Sequence, residues 1–94
     1  MTNTVKAWAK NYEVIALNEG TTEEVLNNMT TEEKATRYID EAFGNLCGKL
    51  NEAWYTVFEM ENFEGLMAKE LNCNKRQLNN KVFNTWYNET AYEI

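Results

Sequence analysis

Thr30-Thr31-Glu32-Glu33-Lys34-Ala35-Thr36-Arg37-Tyr38-Ile39-Asp40-Glu41-Ala42-Phe43 opens with a helix-start signal and continues as an amphipathic stripe. Thr30 and Glu33 have the spacing of a capping box, in which each side chain serves the other residue's backbone N–H. Ala35, Tyr38, Ile39, Ala42 and Phe43 then recur at i, i+3, i+4, i+7, the period of a surface helix with one face in the core. This stretch sets the expectation of a mainly helical chain.

Reading outward, the same start signal occurs upstream at Thr21-Thr22-Glu23-Glu24, with Thr21 and Glu24 at capping-box spacing and a short helix ending near Met29. Downstream, Gly44 and Gly48 bracket a break. A third helix is expected from about Leu50 to Glu59, with Leu50, Ala53, Trp54, Val57 and Phe58 inward. A fourth runs from about Asn62 to Leu71, with Phe63, Leu66, Met67 and Leu71 inward. The chain ends read differently. Val5 to Tyr12 is ambiguous between a helical turn and a strand. Tyr12-Glu13-Val14-Ile15-Ala16-Leu17 alternates weakly and is β-branched, which predicts a short strand ended by Asn18-Glu19-Gly20. Lys81 to Tyr87, rich in Val, Phe, Thr, Trp and Tyr, leans towards strand, with a last helix as the alternative. The expected fold is α+β: one acidic domain over residues 1–94, mostly helical, with about four short helices and a small sheet made by the two chain ends.

Composition supports a packed domain. Apolar residues make up 44 % of the 94, and twelve aromatics supply much of the burial, so no covalent staple is needed. The two cysteines, Cys47 and Cys73, form no CxxC pair and read as small hydrophobes. Histidine is absent, which leaves too few ligands for a structural zinc and removes every Ser-His and Cys-His arrangement. The glutamates fall on predicted outward faces, with no phosphate loop or nucleophile–base pair beside them. Glu19, beside Gly20, is read as a turn residue. The expectation is a binding protein, not an enzyme, with no cofactor and no metal. Met1 to Lys10 lacks an apolar run and no stretch is long enough to span a membrane, so the expected compartment is the cytoplasm.

The net charge is −6, and it is unevenly distributed. Residues 11–64 hold twelve acids against three bases (Lys34, Arg37, Lys49), a local −9. Two binding readings follow, of opposite sign. Residues 64–82 have the spacing of a helix-turn-helix. Ala68 would lie at the helix contact, Asn72 at a turn position of positive φ, and Leu71, Cys73 and Leu78 between the helices. Lys75, Arg76, Gln77, Asn79, Asn80 and Lys81 would lie on an exposed second helix facing DNA. That predicts a small transcriptional regulator; the plainer reading is a helix followed by a solvated polar turn. The other reading uses Glu23, Glu24, Glu32, Glu33, Asp40, Glu41, Glu52, Glu59, Glu61 and Glu64. Carboxylates three, four, seven or eight apart share a helix face, and a dimer presenting such rows could imitate the phosphate array of duplex DNA, about one charge per 1.7 Å. Its plainer counterpart is a solubilising acidic surface.

From Thr31 onwards the chain resembles the C-terminal domain of the ArdA antirestriction proteins, which are DNA mimics. The resemblance rests on Ala35-Thr36-Arg37-Tyr38-Ile39-Asp40-Glu41 and on Val57-Phe58-Glu59-Met60-Glu61-Asn62-Phe63-Glu64-Gly65-Leu66-Met67-Ala68-Lys69-Glu70-Leu71. Phe58 and Glu59 stand for that family's aromatic and acid, Glu61 and Phe63 for the next such pair, and Lys69-Glu70-Leu71 for its Arg-Asp-Leu with one extra residue. Met60 and Asn62 depart from the pattern, the family's proline before this run is missing, and a full ArdA is nearly twice as long. In size, acidity and lack of catalytic groups the chain is also similar to Arn, a small antirestriction protein of T-even phages. What the resemblance implies is a homodimer in the host cytoplasm that occupies the DNA-binding site of a restriction endonuclease subunit or another DNA-handling protein, using the ten acids above and contacting neither nucleic acid nor membrane directly.

Overall fold

The computed structural model describes residues 2–93. Its elements, in chain order, are α1 (Asn3–Asn18), α2 (Glu23–Asn27), α3 (Thr31–Leu50), α4 (Trp54–Phe58), α5 (Phe63–Glu70), α6 (Lys75–Leu78) and α7 (Lys81–Tyr92). There is no strand among the described residues, so the fold is an all-helical bundle. This corrects the α+β expectation and its small sheet.

The N-terminal half of that correction has a clear cause. Thr2 caps α1 by accepting from the Val5 N–H at 3.2 Å, and Val5, Trp8, Ala9 and Ala16 form a buried stripe at helical spacing. The stripe carries the helix straight through the β-prone Val14-Ile15. Gly20 then stops it. At φ 97 it takes the left-handed conformation, and the Thr21 N–H reaches back to the Ala16 carbonyl at 2.9 Å while the Gly20 N–H reaches Leu17 at 3.1 Å, the paired bonds of a Schellman closure. At the other end of the chain Asn80 caps α7, accepting from the Phe83 N–H at 2.9 Å, and Val82, Phe83 and Trp86 are buried. Lys81 to Tyr87 is therefore helix.

Helix α3 starts where the Thr30 signal places it and runs longer than expected. Thr30 and Glu33 form the capping box, with 3.1 Å for both bonds. The upstream helix is capped by Thr22, accepting from Val25 at 3.3 Å, not by a Thr21–Glu24 box. Helix α3 passes unbroken through Gly44 and Gly48 and ends where Asn51 turns left-handed at φ 53. That turn resets the helical phase of residues 52–58. Val57 and Phe58 are buried as expected, whereas Ala53 and Leu50 are exposed and Trp54 stands 37 % exposed beside Tyr55.

Helix α1 lies along α3, and α3 in turn carries α4, α5 and α7. The Lys34–Glu13 pair, 3.3 Å, ties the first turn of α3 to the C-terminal half of α1. Phe43 sits at the centre of the core, edge-on to Phe63 at 5.8 Å and Trp86 at 5.4 Å. Phe83 meets Trp8 at 6.5 Å, so the first and last helices share one core. Each buried aromatic stabilises the fold by roughly 2–3 kcal/mol. The Trp86 indole N–H donates to the Asp40 carboxylate at the edge of this core. The molecule measures 39 × 27 × 24 Å, the long dimension accommodating the roughly 30 Å axis of α3. No helix among the described residues is long and apolar enough to cross a membrane.

Candidate functional site: an acidic surface and its cleft

All ten acids singled out in the sequence are exposed. Glu23 and Glu24 occupy the first turn of α2, and Glu32 and Glu33 the first turn of α3. There the helix dipole favours carboxylates, and Glu33 also closes its cap. Asp40 and Glu41 lie mid-way along α3. At 100° per residue they fall, with Glu33, on the face opposite Ala35, Ile39, Ala42 and Leu46, and Arg37 lies one turn from both Glu33 and Glu41 on that same face. Glu52 lies between α3 and α4, Glu59 caps the end of α4, Glu61 is in the turn after it, and Glu64 is in the first turn of α5.

The described residues contain two ion pairs, Lys34–Glu13 and Lys49–Glu70, and neither involves any of the ten. Lys49 holds both carboxylate oxygens of Glu70, at 2.8 and 2.9 Å, clamping the end of α3 to the end of α5. Two of the three bases in the acidic stretch are thus engaged with other partners, which leaves Arg37 alone to offset the ten carboxylates within it.

Three of the ten are brought to one place. Glu59, Glu61 and Glu64 line an open cleft of 690 Å³ together with Phe58, Tyr87 and Lys75. Phe58 and Tyr87 lie with ring centroids 4.6 Å apart and planes inclined by 31°. Nothing in the sequence pattern announces this cleft: Tyr87 comes from a segment that reads as strand, and Lys75 from one that reads as facing DNA. Asn62 also borders it. Its side chain leans over α5, with Oδ1 2.5 Å from where a Cβ on Gly65 would sit, so that glycine gives the amide its room.

The basic segment is only partly as expected. Asn72 does take positive φ, 54°, and the bonds from Cys73 to Ala68 (2.9 Å) and Asn72 to Lys69 (3.2 Å) close α5 as Gly20 closes α1. Ala68, Leu71 and Leu78 are buried and Cys73 is half-buried. The second helix, however, is a single turn. It ends at Leu78, and Asn80, expected to face DNA, is 8 % exposed: its Nδ2 donates to the Gln77 carbonyl at 2.8 Å while its Oδ1 caps α7. Lys81 consequently belongs to a different helix from Lys75 and Arg76.

Cys47 and Cys73 are both half-buried thiols. Burial pushes each above the ordinary thiol value; at Cys47 a backbone hydrogen bond opposes the shift in part. No grouping of three or more Cys, Asp or Glu positioned to hold a metal occurs among the described residues. Comparison with protein-family models, with curated proteins and with solved structures gave no match to this chain, so the likeness to the ArdA family rests on the residues quoted above.

Proposed function

We propose that this protein is an inhibitor that places its acidic surface in the DNA-binding site of a basic partner, such as a restriction endonuclease subunit, and so competes with duplex DNA. The observation that carries this reading is that ten exposed carboxylates stand outside every ion pair among the described residues, while Lys34 and Lys49 are held by Glu13 and Glu70. Apart from Glu33, which closes the cap of α3, and Asp40, which accepts from the Trp86 indole, these carboxylates attract a basic groove at long range and then pair with its lysines and arginines without first breaking internal bonds. The regulator alternative has less behind it. A one-turn α6, with Asn80 turned inward and Lys81 on α7, offers no continuous basic helix to a major groove.

The test is displacement. Labelled duplex bound to a panel of restriction enzymes and to a nucleoid protein is challenged with the protein over a range of salt concentrations. Expected are displacement from at least one panel member, steep weakening with salt, and loss of displacement in the Glu59→Lys/Glu61→Lys/Glu64→Lys variant with its circular dichroism unchanged. Retardation of duplex by the protein itself, or an inhibitor indifferent to the triple reversal, would overturn the proposal.

A further inference from the structure

Asn51 to Thr56 are six consecutive exposed residues, and they carry a tryptophan and a tyrosine into solvent. We infer that Trp54 and Tyr55 are the apolar anchor of the interface with the basic partner, packed against its surface while the neighbouring acids supply attraction. The inference rests on the function proposed above and names the uncharged contact that completes it.

Of the three tryptophans, Trp8 and Trp86 are buried, whereas Trp54 is 37 % exposed and Tyr55 beside it 54 %. Helix α4 is held to the core by Val57 and Phe58, and the left-handed turn at Asn51 sets its first two residues outward. Leu50, also exposed, ends α3 just before this corner. The indole and the phenol meet edge to face, centroids 5.9 Å apart and planes at 80°. Each ring thereby limits the rotation of the other, and less freedom is lost when a partner covers them. An exposed apolar patch rimmed by polar groups marks an interaction surface, and tryptophan and tyrosine are among the side chains that contribute most to interface affinity.

Charge and area select the occupant. Glu52 lies three residues before Tyr55 and Glu59 one helical turn after it; both are exposed, and neither is in an ion pair among the described residues. The nearest base in the chain, Lys49, is held by both oxygens of Glu70. Such a rim attracts a basic surface, and it repels both an anionic membrane and the same rim of a second copy. At roughly 150–250 Å² per aromatic side chain, the exposed fractions of the two rings amount to roughly 200 Å², against about 800 Å² per partner in a stable interface. The patch is too small to hold two copies together by itself. The rest of the buried area must come from the polar surface around the rings, and there the unpaired charge is acidic.

The displacement assay above tests this, on each panel member that the wild type frees from duplex. Trp54→Ala/Tyr55→Ala should raise the concentration for half-displacement about tenfold or more, with its dependence on salt unchanged because no charge is removed. Glu52→Gln/Glu59→Gln should flatten that salt dependence. Val14→Ala/Leu17→Ala/Val25→Ala, which trims exposed apolar side chains elsewhere, should shift the concentration by no more than about threefold. Trp54→Phe/Tyr55→Phe, which keeps two rings, should stay closer to the wild type than the alanine pair; thermal melts verify that each variant is folded. A loss in the alanine pair no larger than in the Val14 triple variant overturns the anchor and leaves the acidic-surface reading standing. Sedimentation of the protein alone and flotation with phosphatidylglycerol vesicles address the other occupants. Self-association or vesicle binding that Trp54→Ala/Tyr55→Ala abolishes would put a second copy or a lipid surface on the rings and overturn the inference. Failure of the wild type to displace duplex from any panel member overturns both readings.

Discussion

Replacing Gly44 and Gly48 by alanine should make the protein distinctly more stable. Both glycines lie inside α3, both are exposed, neither has a left-handed φ, and a Cβ built on either meets nothing within 4 Å. Nothing sterically requires glycine there. The cost of keeping it is therefore the intrinsic one, about 0.8–1.0 kcal/mol per residue relative to alanine, arising from the greater backbone freedom that glycine loses on folding. The two positions are one turn apart, but methyl groups at that spacing interact weakly, so the double variant should gain about 1.6–2 kcal/mol. For a domain of this size each kcal/mol corresponds to roughly 4–8 °C, so the melting temperature should rise by roughly 6–16 °C. Urea titration followed by far-ultraviolet circular dichroism reads the effect directly: the midpoint should move up with the slope unchanged, and each single variant should give about half. A midpoint that stays put or falls would refute the reasoning, because it would mean that α3 is not continuous helix at these glycines in solution.

Two further outcomes test the way the helices are joined and packed. Asn80→Ala removes the cap of α7 and also leaves the Gln77 carbonyl without its side-chain donor, so a loss of about 1–2 kcal/mol is expected in the same titration; Asn80→Asp, which retains the capping oxygen but not the donor, should fall between it and the wild type. Burial raises both thiols in the folded state, so the unfolded chain ionises first; stability should be insensitive to these groups below the ordinary thiol value, about 8.5, and should decline as pH climbs above it towards the folded values. Urea midpoints measured across that range should fall less steeply in Cys47→Ala/Cys73→Ala than in the wild type.

What the sequence discloses is whatever a few neighbouring residues decide. The Thr30–Glu33 box, the inward Ala35, Ile39, Ala42 and Phe43, and the left-handed Asn72 all depend on groups within a turn or two of one another. Sequence and structure part where distant packing outweighs local preference. Val14 and Ile15 favour a strand, but the stripe from Val5 to Ala16 holds them in helix. Gly44 and Gly48 favour a break, but Phe43 and Leu46 are buried within one helix that spans both glycines. Extending a helical period from Leu50 puts Trp54 in the core, and the left-handed turn at Asn51 changes that phase. The acids of the candidate site can be picked out one by one. Their meeting around Tyr87 and Lys75 cannot, because it joins three segments that only the finished bundle brings together.

Helix α7 follows the other six described helices along the chain, yet its Phe83 and Trp86 close the core against Trp8 in α1 and Phe43 in α3. A nascent polypeptide must therefore leave Trp8 and Phe43 without these partners until α7 has been translated. Products that stop short of α7 would present the same greasy surface to chaperones and proteases.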